Sequence, residues 1–125
     1  MENFNFDFQF IKSGAPTVTL GKYGISVNAV CISWLGNPDR VEMGYDEVKH
    51  AIAIRPYSGN LDVPSFEFAK RAKEGWIRIG CKDFMRFLSS STNIDFVTKS
   101  KQFIPSYNKE ANTLVITVSE ENIKK

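Results

Sequence analysis

A chain of 125 residues holds one ordinary domain and is too short for two. Apolar residues make up 42% and charged ones 24%, a globular balance that argues against disorder and removes the need for a disulfide or metal staple. Net charge is +2, from 16 Lys and Arg against 14 Asp and Glu, so no global field advertises a nucleic-acid or membrane partner.

The opening segment, 1–16, alternates Phe4, Phe6, Phe8 and Phe10 with polar residues, which puts four rings on one face of a strand. Such a strand either lies on the domain's own core or serves as an arm on another subunit, because four exposed Phe make a patch that monomers rarely tolerate. It lacks the basic region and apolar core of a signal peptide, and no apolar run in the chain approaches the roughly 18 residues of a membrane span. Ser13-Gly14-Ala15-Pro16 breaks the strand.

Residues 17–57 read as a strand, a short helix and a hairpin. Ile25-Ser26-Val27 alternates as the strand. Ala29–Leu35 (AVCISWL) forms a short buried helix, with Asn28 as its N-cap and Gly36-Asn37-Pro38 as its stop. Val41, Met43 and Tyr45 then alternate, residues 46–50 make a polar turn, and Ala51-Ile52-Ala53-Ile54 return toward Arg55-Pro56.

A connection at 58–71 comes next, with a short strand around Phe66 and Phe68. Residues 72–118 then repeat the earlier order. Trp76-Ile77-Arg78-Ile79 is the strand, its Ile77 and Ile79 standing 52 positions after Ile25 and Val27. Residues 81–88 (CKDFMRFL) form the helix, with Phe84, Phe87 and Leu88 on one face. Phe103, Pro105 and Tyr107 alternate, 108–112 turn, and 114–118 return. Tyr45 and Asp46 align with Tyr107 and Asn108, and Ile52 and Ile54 with Leu114 and Ile116, all at an offset of 62. The difference between the offsets falls in the helix-to-hairpin loop, where insertions into repeats belong. One such unit cannot bury its apolar face, whereas two facing each other make a single barrel-like body. The polar tail, 119–125, is expected to fray. The expected fold class is α+β, mainly β, built from tandem strand-helix-hairpin repeats behind an N-terminal Phe-rich strand.

Gly24-Ile25-Ser26-Val27-Asn28-Ala29, followed by an apolar turn ending in Leu35-Gly36, resembles the AbrB/SpoVT family of swapped-hairpin DNA-binding domains. Arg40-Val41-Glu42-Met43 and the returning AIAIRP of 51–56 continue the likeness. It covers 17–57 well and 72–118 more loosely, and a tandem pair in one chain resembles the MraZ branch. The resemblance implies a swapped-hairpin barrel in a transcription regulator or antitoxin that contacts duplex DNA and oligomerises. The chain departs from the family in having Asn28 and Gly80 where a Pro normally enters the helix. AVCISWL also lacks basic residues, and neither half carries the Asp-x-x-x-Arg signature of MraZ.

Charge distribution is more informative than its total. Between Lys70 and Arg86, six basic residues face two acidic ones, giving +4 and leaving −2 for the remaining 108 residues. Arg78 points opposite Ile77 and Ile79, and Lys82 and Arg86 lie four apart on one helix face. Lys73, Arg78, Lys82 and Arg86, with Lys22 as the first-repeat counterpart, therefore make a candidate stripe for the phosphates of duplex DNA, beside Gly75 and Trp76. The alternative is an ordinary solvated face.

A second class of function stays open. The first helix is apolar nearly all round, so its outer side needs a cover, either the Phe-rich strand or a second subunit. Phe4, Phe6, Phe8, Phe10 and Trp34 would then serve a non-catalytic protein-interaction or oligomerisation module.

Other residues carry less. Cys31 and Cys81 have no CxxC and no histidine at ligand spacing, and read as reduced thiols of a cytoplasmic protein. Cys81 beside Lys82 at a helix start is expected to have a lowered pKa. His50, the single histidine, sits in a turn as a surface residue. Ser89-Ser90-Ser91-Thr92 reads as loop, and Gly21-Lys22-Tyr23-Gly24 is too short for a phosphate loop. No enzyme, metal or cofactor is expected.

Overall fold

The computed structural model describes residues 15–124, so the expectation for Phe4, Phe6, Phe8 and Phe10 lies outside the described residues. Alternation of apolar and polar residues decides most of the architecture. Strands β1 (Val18–Leu20) and β2 (Gly24–Asn28) form a hairpin, and helix α1 (Ala29–Leu35) comes directly after it. Asn28 caps α1 as expected, its side-chain oxygen accepting from the Cys31 N–H at 3.4 Å. Gly36 ends the helix in the left-handed region at φ 80°. The Asn37 N–H closes the last turn on the Ile32 carbonyl, which satisfies an otherwise orphaned acceptor.

Strands β3 (Arg40–Asp46) and β4 (Ala51–Pro56) make the first long hairpin. The two-residue strand β5 (Phe66–Glu67) pairs with β3, and a 3-10 turn at Ala69–Arg71 leads to β6 (Trp76–Gly80). Helix α2 spans Lys82–Thr92, four residues beyond the expected end. The hydroxyls that suggested a loop are satisfied within or beside the helix: Thr92 donates to the Leu88 carbonyl and Ser89 to that of Ile94, both at 2.7 Å. Strands β7 (Lys101–Phe103), β8 (Ser106–Asn108) and β9 (Thr113–Thr117) complete the set.

The nine described strands form two antiparallel sheets, ordered β6-β2-β1-β7 and β5-β3-β4-β9-β8. Among the described residues no strand pairing joins them, so the barrel-like body expected from the repeats is seen as two open sheets sharing one core, without closure. The reason lies around Pro105. Phe103 pairs with Val18 in the first sheet, whereas Tyr107 pairs with Leu114 in the second, so the strand expected across 103–107 divides between the sheets. Ile25, Val27, Ile77 and Ile79 from one sheet and Ile52, Ile54, Leu114 and Ile116 from the other are fully buried in that core. Leu35 of α1 and Met85 and Leu88 of α2 join them.

The strands matched by the two offsets are the ones that pair. Ile25 faces Ile79 and Val27 faces Ile77, while Ile52 faces Ile116 and Ile54 faces Leu114. The hairpin turns match in detail too. His50 and Asn112, 62 apart, both adopt positive φ, at 53° and 47°. Each side chain bonds the tyrosine hydroxyl five residues earlier, Tyr45 Oη to His50 Nδ1 at 2.9 Å and Tyr107 Oη to Asn112 Oδ1 at 2.5 Å.

The tail does not fray through its whole length. Glu120–Asn122 form a 3-10 turn, Ile123 bridges to Phe103, and the Lys124 N–H donates to the Gln102 carbonyl at 2.6 Å. This covers the outer edge of β7 and leaves that sheet edge protected.

Candidate nucleic-acid interface

With Ile25, Val27, Ile77 and Ile79 turned inward, the period of two sends Ser26 and Arg78 to the opposite face of the first sheet. Cross-strand register then lines up Arg78, Ser26, Thr19 and Gln102 as a polar row over all four strands. Both helices direct their buried residues into the core on the other side.

Two tight turns bring further side chains onto this open face. The Gly21 N–H donates to the Gly24 carbonyl at 3.1 Å, which folds Lys22 and Tyr23 back beside β6. Gly24 is required there, since a Cβ on it would meet the Ile79 carbonyl oxygen at 1.9 Å. At the other end, Lys73 and Trp76 exchange backbone hydrogen bonds of 2.8 and 3.0 Å around Glu74 and Gly75, which both have positive φ. That is a two-residue hairpin turn of the kind that matches strand twist, and it sets Lys73 beside Trp76.

The result is two shallow depressions that meet on Ser26 and Arg78. One, of about 360 Å³, is otherwise lined by Arg71, Lys73 and Trp76. The other, of about 230 Å³, takes Lys22, Tyr23, Thr19 and Ser100 among its walls. Tyr23 is 55% exposed and Trp76 36%. The Lys22 ammonium and the Arg78 guanidinium stand 5.6 and 5.8 Å from the Tyr23 ring centre, within cation–π range. No carboxylate lines either depression. Among the described residues the one ion pair is Arg55 with Glu42 on the other sheet, so Lys22, Arg71, Lys73 and Arg78 have no acidic partner there. This face can neutralise phosphates and offer two aromatic planes at once.

Three expected residues, Lys22, Lys73 and Arg78, are therefore gathered. Lys82 and Arg86 are not: both are exposed on α2 but line neither depression. The helix packs Met85 and Leu88 into the core, so its solvent face is separate from the outward face of β6. Sequence reasoning passes over Tyr23 and Arg71. The signal for Tyr23 is the Gly21–Gly24 turn, which is too short for a phosphate loop but closes a hairpin.

One residue of the apolar first helix has a partner in the second half of the chain. Trp34 is half-buried and stacks on Tyr107 of β8, with ring centres 5.3 Å apart and planes 20° apart. Cys81 also differs from expectation, since burial pushes its thiol up to about 11 rather than down; burial does the same to Cys31, also to about 11. The Lys82 charge is exposed and does not offset the loss of solvent around the sulfur. Among the described residues no three His, Cys, Asp or Glu side chains gather as a metal site, and no helix is long and apolar enough to cross a membrane. Comparison of the chain with protein-family models, curated proteins and solved structures gives no match.

Proposed function

We propose that this protein binds nucleic acid through the open face of its first sheet. The observation that carries the reading is the meeting of the two depressions on Arg78. Four cations without acidic partners among the described residues, and two exposed aromatics, border that junction. Phosphates bound by four such cations release counterions, so affinity falls with salt at a log–log slope of roughly −3 to −4. Fluorescence anisotropy of a labelled oligonucleotide across a salt series measures it. Arg78→Ala and Lys73→Ala should each reduce the slope by about 1, while Lys82→Ala with Arg86→Ala leaves it nearly unchanged. Absence of salt-dependent binding to any strand or duplex ends the proposal.

We infer in addition that the two halves, 17–57 and 72–118, are copies of one strand-helix-hairpin unit with exchanged hairpins. Support comes from pairing between equivalent strands and from the two matching hairpin turns. Aromatic contacts run the same way: Trp34 of the first half packs on Tyr107 of the second, and Phe84 and Phe87 of the second pack on Tyr45 of the first.

A further inference from the structure

The nucleic acid that fits this face is a single strand, and we propose that its unstacked bases lie on Trp76 and Tyr23 while Lys22, Arg71, Lys73 and Arg78 hold its phosphates. The inference rests on the nucleic-acid reading above and narrows it to one substrate class. Phosphate contacts alone do not call for aromatic side chains, yet both aromatics bordering the shared Arg78 are open to solvent. A duplex keeps its base faces stacked against each other and offers those rings nothing. A single strand has a π-face on every nucleotide, and aromatic stacking is how sequence-tolerant binders use it.

Shape and spacing agree. Duplex readers insert a helix or ribbon into a groove roughly 12 Å wide. Here the contact groups sit in depressions on a sheet face. Trp76 and Arg78 stand two residues apart on one strand, about 6.6 Å by strand rise. Arg78 stands 5.8 Å from the Tyr23 ring. Trp76 pairs opposite Asn28, whereas Tyr23 adjoins Gly24 at the other end of the same ladder, so bases resting on the two rings are not stacked on each other. A base settling on Tyr23 displaces one of its two cations, which is then free for the adjoining phosphate. Ser26, Thr19 and Gln102 supply further polar groups across the sheet.

The test compares a fluorescein-labelled oligothymidylate of about 12 nucleotides with a duplex of the same length, at equal salt. The wild-type protein is expected to bind oligothymidylate at least about tenfold tighter. Tyr23→Ala and Trp76→Ala should each weaken it about five- to tenfold with the salt slope kept, and Trp76→Phe should recover most of the loss. Both positions are at the surface, and circular dichroism of each variant checks that the fold persists. Equal or tighter binding of the duplex overturns the inference, as does full affinity in both alanine variants, and either result leaves the broader nucleic-acid reading standing. If neither probe binds with salt dependence, both fall together.

Discussion

Glu42 is only 3% exposed on the outer side of the second sheet, and its carboxylate is completely spoken for. One oxygen accepts from the Ser58 N–H at 2.9 Å and from the Ser58 hydroxyl at 3.0 Å, and the other meets the Arg55 guanidinium at 2.7 Å. The Ser58 amide first, and then Arg55, hold the acid below its ordinary value of 4.5, because hydrogen bonding to the charged form outweighs desolvation. A folded-state value below the unfolded one adds stability that is present above pH 4.5 and disappears as pH falls through the folded value. Melting temperature followed downward from neutral pH should therefore drop more steeply in the wild type than in Glu42→Gln, with the two curves converging in acid. Parallel curves would show that the carboxylate contributes nothing on folding. The sequence displays Glu42 as one residue of an alternating strand. Its partner Ser58 lies in a connection whose path no local pattern specifies.

At the same scale, both cysteines are protonated at neutral pH, since burial raises each to about 11. Native protein at pH 8 should react with a disulfide reagent at a small fraction of the rate seen in denaturant; a fast phase of one thiol would contradict this for the more accessible Cys81. Gly24→Ala should destabilise by about 3 kcal/mol in a denaturant titration, because the new methyl collides with backbone rather than with a side chain that could rotate away.

Among the elements, the helices add aromatic contacts between the halves to the strand pairings of β2 with β6 and β4 with β9. Trp34 lies nearly parallel on Tyr107, and Tyr45 meets Phe84 and Phe87 edge-on with ring centres 5.4 and 5.9 Å away. A double-mutant cycle of Trp34→Ala and Tyr107→Ala should return a coupling of about 1 kcal/mol, the range of buried aromatic pairs. A coupling near zero would mean that the stack is incidental. The existence, type and caps of α1 are legible in the sequence because Asn28 and Gly36 are strong punctuation at both ends. The end of α2 is not, because Ser and Thr favour loops unless their hydroxyls find carbonyls. Whether they do depends on the packing of Leu88 and the burial of Ile94. The stacking of Trp34 on Tyr107 is not legible in the sequence, as the two are joined only through tertiary structure.

For the molecule as a whole, the mainly β class, the order of elements and the inward residues of most strands can all be read from period-two alternation. Sheet membership cannot. Phe103 and Tyr107 share one alternating run but serve different sheets, and Pro105 between them reads as a strand position although it is the crossing point. The candidate site is half legible for a related reason. Alternation aims Arg78 outward, yet extending the same stripe onto α2 assumes that strand and helix present one surface. They do not, because α2 packs on the core side of the strand that precedes it. Net charge conceals this face, and sequence distance conceals the proximity of Lys22 and Tyr23 to Arg78.

The pairing of β1 with β7 bears on how the chain comes to be made. On a ribosome Val18 emerges long before Phe103, its neighbour in the first sheet. Until then the β1–β2 hairpin carries an unfilled edge and an uncovered apolar side, the condition in which nascent strands pair wrongly. Completion of the first sheet is therefore deferred until both helices have been synthesised. A ribosome that stalled before Lys101 would leave its mark on a strand it had translated some eighty codons earlier, which waits throughout with one edge open.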